Sequence, residues 1–157
     1  AIAAYDRKTV SRNTPFDRHL QGEEDVLAPA ALRGMRLFYG EARCAVCHSG
    51  PNFSDGEFHN VGVIDARRPD AGRLAVTGQA GHTAAFKTPT LRGVALTAPY
   101  MHNGQFKTLE EVVWHYNFGG VTEEDNPHRD ERLEVLYLSD AQVTDLVAFL
   151  RDALMEK

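Results

Sequence analysis

The sequence predicts an all-α chain whose helices are separated by long irregular loops. Two capping boxes carry this expectation. Ser139-Asp140-Ala141-Gln142 leads into Val143, Leu146, Val147, Leu150 and Leu154 at i, i+3, i+4, i+7 and i+11, one continuous helical face with Phe149 beside it. Thr108-Leu109-Glu110-Glu111 is followed by Val112, Val113 and Tyr116, and Gly119-Gly120 supplies the stop. Residues 49–107 show no sustained period and hold eight of the thirteen glycines and four of the seven prolines, too many breakers for long regular elements.

Taken from the N-terminus, Ala1 to Val10 reads as a short helical stretch with Ile2 and Tyr5 spaced i, i+3. Ser11 to Asp25, with Asn13, Thr14, Pro15 and Gly22, is expected as a polar connection, and His19 as a surface residue. Pro29 opens a helix at a position where its missing N–H costs nothing, and Leu32, Met35, Phe38 and Tyr39 form its apolar face before Gly40. Gly34 inside that helix costs about 1 kcal/mol relative to alanine, which a close approach by another backbone explains. The terminal helix is its natural partner. Short extended pieces around Phe58 to Ile64 or Leu74 to Thr77 are expected to pair as one small β-hairpin.

Composition narrows the class. A chain of 157 residues fits one domain: residues 1–25 as a connecting segment and 26–157 as the core. A net charge of −5 without a basic stripe argues against nucleic acid, and no apolar run is long enough to span a bilayer.

Cys44-Ala45-Val46-Cys47-His48 has the form of a c-type haem attachment site. Two intervening residues, wound as a helical turn, hold both sulfurs on one side of a porphyrin edge, and the next residue offers an imidazole to the iron. A redox pair would be expected after a strand in a βαβ pattern, zinc would need two further ligands at suitable spacing, and a structural disulfide would give His48 no role. Covalent haem also accounts for the long irregular stretch, because a porphyrin supplies apolar surface around which loops can pack. Such attachment implies export, so the expected location is the periplasm or another compartment outside the cytoplasm, with a signal segment removed.

The second axial ligand must come from the remaining histidines or the methionines. Met35 lies on a helical face where a thioether is usually core filler, and Met155 is near the C-terminus. Met101 sits in Thr97-Ala98-Pro99-Tyr100-Met101-His102-Asn103-Gly104, a loop stiffened by proline and ended by glycine, far enough from His48 to reach the opposite haem face. His59, His82, His102 and His115 remain rivals, each with a simpler reading as a polar loop residue. A His/Met pair fills the coordination sphere and raises the potential, which suits electron transfer better than peroxide activation. Arg73, Lys87 and Arg92 are possible partners for haem propionates or simply exposed cations.

Phe86-Lys87-Thr88-Pro89-Thr90-Leu91-Arg92-Gly93, running on to Pro99-Tyr100-Met101-His102-Asn103-Gly104, resembles a signature of the bacterial di-haem cytochrome c peroxidases and MauG-like enzymes. Pro15-Phe16-Asp17-Arg18, Phe58-His59-Asn60-Val61-Gly62, Asp70-Ala71-Gly72-Arg73 and His115-Tyr116-Asn117-Phe118-Gly119-Gly120 extend the resemblance in the same order. What they resemble is the family's C-terminal half, a cytochrome c-like domain bearing the high-potential haem. The resemblance implies that Cys44 and Cys47 form the thioethers of one haem c, that His48 is the proximal ligand and that Met101 is the distal one. It implies electrons received from a small cytochrome or cupredoxin and passed to a second haem domain, where hydrogen peroxide is reduced. MauG-like members carry tyrosine in place of the distal methionine, and Tyr100 is adjacent to Met101. Calcium is expected only where a second domain completes its site.

Three functions follow: the relay domain of a di-haem peroxidase, which does not itself turn over peroxide; an independent monohaem cytochrome or fused haem module; or a peroxidase with a displaceable distal ligand.

Overall fold

The computed structural model describes residues 11–64, 69–120 and 126–156. The helix expected over Ala1 to Val10 lies outside them. The elements in chain order are α1 (Pro15–Leu20), α2 (Pro29–Tyr39), a 3-10 turn at Cys44–Val46, β1 (Phe58–His59), α3 (Leu74–Thr77), a 3-10 turn at Ala80–His82 and β2 (Phe86–Lys87). A 3-10 turn at Val94–Leu96 follows, then α4 (Leu109–Asn117) and α5 (Asp140–Ala148), which continues through a π-helical turn over Phe149–Ala153.

The architecture is built on the crossing of α2 and α5, and Gly34 is the reason it is close. A Cβ on Gly34 would stand 2.0 Å from the carbonyl oxygen of Asp145, so only hydrogen fits. Arg33 fixes the same contact from the side, its Nε and Nη2 each 2.7 Å from the carboxylate of Asp145. Phe38 is fully buried; Leu32 and Met35 pack at the edge of the core, whereas Tyr39 is 52% exposed rather than inward. Along α5, Val143, Leu146, Phe149, Leu150 and Leu154 are buried, as their spacing predicts. Both capping boxes are present, Thr108 with Glu111 and Ser139 with Gln142.

Residues 11–25 are not all loop. Thr14 accepts from the Asp17 amide and the Asp17 carboxylate accepts from the Thr14 amide, a capping box that starts α1 with Pro15 in its first turn. The helix inserts Phe16 among Phe53 and Phe149, with ring centroids 5.0 and 5.9 Å away.

The hairpin expectation is right in kind but not in its partners. Phe58–His59 pairs antiparallel with Phe86–Lys87, while Leu74–Thr77 is a helical turn closed by Gly78 in the left-handed region. The pieces are brought together by long-range polar contacts that no local period announces. Asn60 and Asn126, both buried, exchange amide hydrogen bonds of 2.8 and 2.9 Å. Arg92 is not a free cation. It binds both carboxylate oxygens of Asp17 at 2.7 and 2.8 Å and the carbonyls of Pro51 and Ser11, which removes it as a propionate partner.

Candidate haem site

The attachment motif is aimed by the end of α2. After the cap at Gly40, the Ala42 amide returns to the Leu37 carbonyl and buried Ala42 closes the short link. Arg43 takes φ of +53°, and the chain enters the turn in which the Cys47 and His48 amides both donate to the Cys44 carbonyl, at 3.3 and 2.9 Å. Cys44 and Cys47 share this one turn, and neither is in a disulfide. Burial pushes the Cys44 thiol up to about 12. It pushes Cys47 up as well, against the opposing pull of Arg132.

His48 is oriented from behind. Its Nδ1 lies 2.9 Å from the carbonyl of Phe53, so the proton belongs on Nδ1 and Nε2 keeps the lone pair a metal needs. Burial holds its pKa below the ordinary value, opposed by the Phe53 carbonyl, and the ring is neutral at pH 7. The donor set therefore fits a haem iron. Cys44 and Ala45 of the motif are half-buried against the same core as Met35, Leu91, Ala95, Tyr100, Trp114 and Leu136, half-buried apolar area of the kind a porphyrin would cover.

Met101 lies on a separate loop of tight construction. The Tyr100 amide donates to Phe106 at 2.7 Å, Met101 has φ of +69°, and the Gly104 amide returns to the Met101 carbonyl. The rival histidines are engaged elsewhere. His115 Nε2 meets the Val61 carbonyl at 2.8 Å, His82 Nδ1 the Thr77 hydroxyl at 2.9 Å, and His102 stacks on Phe86 at 3.7 Å.

Three features were not anticipated from sequence. Tyr116, read only as part of an apolar face, has its phenol pushed well above the ordinary value by burial and then by Cys44 and Cys47 beside it. The segment after residue 126 runs back along the motif: Arg43 is ion-paired with Glu134, and Asp130 and Arg132 act on Cys47. Within it, Tyr137 is 87% exposed with φ of +56°. Its neighbours are pinned by buried Asn117, whose carbonyl accepts from the Leu136 amide and whose side chain exchanges two bonds with Leu138. Arg43, Phe53, Met101 and Tyr137 are all bulky residues with positive φ, a conformation that costs about 1–3 kcal/mol and concentrates at functional sites.

No helix of the described residues is long and apolar enough to cross a membrane. The Cytochrome c family model matches residues 31–153. The methylamine utilization protein MauG of Methylorubrum extorquens is 39% identical over 150 residues, 96% of this chain and 42% of that protein. Cytochrome-c peroxidase IdrP1 of Denitromonas iodatirespirans is 38% identical over 181 residues, 96% of this chain and 47% of that protein. Among solved structures, a MauG-like protein associated with microbial copper homeostasis superposes with a TM-score of 0.81 at 33% identity, covering 92% of this chain and 48% of the other. The chain thus spans less than half the length of these relatives. The motif, its oriented histidine and these likenesses together make the chain a cytochrome c domain, a carrier of covalently bound haem c, of the MauG and bacterial di-haem cytochrome c peroxidase family.

Proposed function

We propose that this chain is the electron-transfer domain of a di-haem peroxidase-type oxidoreductase. It carries a single haem c on Cys44 and Cys47, ligated by His48 and Met101, and works in the periplasm. The observation that carries this reading is the turn itself: two thiols and an imidazole within five residues, with Nδ1 tied to the Phe53 carbonyl so that Nε2 is the ring nitrogen left with a lone pair. When bound, the haem supplies a one-electron couple. The chain's own residues do the rest. The Phe53 carbonyl keeps His48 in one tautomer and orientation, the half-buried apolar set excludes water, and the Tyr100–Phe106 loop holds the Met101 thioether in place. Electrons arrive from a small cytochrome or cupredoxin and leave toward a peroxidatic haem in a second domain, where any calcium site is also completed.

A second reading of the distal position rests on Tyr137. Its backbone is in the left-handed region, its side chain is exposed, and Asn117 ties its neighbours Leu136 and Leu138 to the helix whose Tyr116 feels the charge of both cysteines. Tyr100 is the weaker candidate, since its ring packs against the core.

One comparison separates the ligands. Ferric wild-type protein is expected to show the far-red methionine-to-iron band, and Met101→Ala to abolish it while Tyr137→Phe leaves it intact. A band that persists without Met101 defeats the His/Met assignment. A wild-type spectrum lacking the band but altered by Tyr137→Phe transfers the role to tyrosine. Repeated peroxide turnover by the reduced domain alone would overturn the relay reading.

A further inference from the structure

His59 is 7% exposed, and each of its ring nitrogens faces a carboxylate. Nδ1 is 2.8 Å from Asp130 Oδ2, and Nε2 is 2.9 Å from Asp55 Oδ2. Arg132 completes the group: its Nη2 is 2.7 Å from Asp130 Oδ2 and also 2.7 Å from His59 Nδ1, while its Nε is 2.9 Å from Asp130 Oδ1. The cluster adjoins the haem attachment, since Cys47 Sγ and the ligand atoms of Asp55 and His59 lie within 4.8 Å of one another.

This geometry satisfies two protonation states. As imidazolium, His59 donates from Nδ1 to Asp130 and from Nε2 to Asp55. As neutral imidazole it keeps the Nε2–H bond to Asp55, and Nδ1 accepts from Arg132 instead. No buried polar atom of the ring is stranded in either state. The exchangeable proton is therefore the one on Nδ1.

We propose that His59 Nδ1 is a proton-exchange site coupled to the oxidation state of the haem borne by Cys47. The proposal rests on the electron-relay reading above. When a one-electron donor reduces the bound haem, the occupancy of Nδ1 by a proton from solvent rises; when the electron leaves, that fraction of a proton returns to solvent. The charged groups facing the ring are Asp55, Asp130 and Arg132. Cys47 becomes an uncharged thioether on haem attachment, and His48 is a neutral ligand. With both carboxylates ionised and Arg132 positive, the cluster carries −1 when His59 is neutral and zero when it is protonated. The ferric haem has one more positive charge than the ferrous and so favours the deprotonated cluster. Both carboxylates are held ionised. At Asp130, the Arg132 guanidinium depresses the pKa strongly. At Asp55, burial raises it, but the Glu57 amide, the His59 ring and the Thr88 hydroxyl together hold it below the usual range.

The test is a spectroelectrochemical titration of the haem-loaded protein between about pH 5 and 9, the span in which histidines exchange protons. The midpoint potential is expected to fall as pH rises. If proton affinity at His59 changes about tenfold between oxidation states, the total fall is about 59 mV for a one-electron couple. His59→Gln is expected to flatten the profile. Arg132→Gln removes the donor to neutral Nδ1 and should move the sloping region to higher pH; its side chain is 43% exposed, so this variant decides the matter if His59→Gln does not fold. The His59 ring, followed by NMR with labelled histidine, should titrate at different pH in the ferrous and ferric forms. A pH-independent midpoint, a slope that survives His59→Gln, coincident NMR titrations or an unmoved Arg132→Gln profile overturns the proposal. Failure to observe any reversible one-electron couple instead overturns the relay reading, and this proposal with it.

Discussion

The crossing of α2 and α5 and the irregular run from 49 to 107 are held by different physics. The crossing is mainly apolar burial, with one close backbone contact at its centre, Gly34 against Asp145, and the Arg33–Asp145 ion pair at its side, and its helices follow from spacing and caps. The irregular run is held by discrete polar bonds between residues far apart in sequence: Asn60 with Asn126, Arg92 with Asp17, and Ser54 with the Thr88 carbonyl. Burial is shared among many weak, non-directional contacts. Directional bonds are not shared in this way, and a loop region without packed layers of its own depends on them to hold its course.

Gly34→Ala attacks the crossing and should have the largest effect. A methyl group driven against a carbonyl cannot be absorbed by a rotamer change, and a loss of about 3 kcal/mol or more in urea unfolding is expected. A variant within about 1 kcal/mol of wild type would show that the helices separate freely.

Arg92→Ala attacks the polar region. Removing the buried guanidinium strands Asp17 and two carbonyls, an expected cost of about 3 kcal/mol. Arg92 holds the Asp17 carboxyl down to about 2 through its hydrogen bonds, so this stabilisation is complete above the ordinary carboxylate range. It is lost as pH falls from about 4 toward 2. Wild type should therefore lose more stability than Arg92→Ala over that window, and parallel acid profiles would refute the pairing.

Asn60→Ala should be milder, about 2 kcal/mol, because it breaks the reciprocal amide pair and the bond to the Thr83 carbonyl. Its signature is local. Amides around 57–64 and 83–88 should exchange faster while α2 and α5 stay protected, and uniform loss of protection would erase the contrast between the two regions.

The same contrast explains what could be read from the sequence. α2, α4 and α5 were legible because their caps and apolar spacing are local, and Gly34 announced a close neighbour by its position alone. The family was legible because Cys44-Ala45-Val46-Cys47-His48 is contiguous and needs no folding to be read as a motif. The α1 capping box, Thr14-Pro15-Phe16-Asp17, was present but was outweighed by turn-forming neighbours in a helix of only six residues. Leu74–Thr77 resembles a strand until Gly78 is seen to close it. The His59 cluster had no local trace, since Asp130 and Arg132 lie more than seventy residues away and reach the ring only after folding.

Asp145 touches two consecutive positions of α2, meeting Gly34 with its carbonyl and Arg33 with its carboxylate. A helix slipped by one residue turns by about 100° and advances about 1.5 Å, and neither contact survives that displacement. Since the Cys44–Val46 turn follows α2 after only a short closed link, the same slip would re-aim both thiols, which on the proposed reading have to meet two vinyl groups of one haem. On that reading the crossing sets the aiming tolerance for a covalent reaction, and an error in register at Gly34 would surface as incomplete haem attachment.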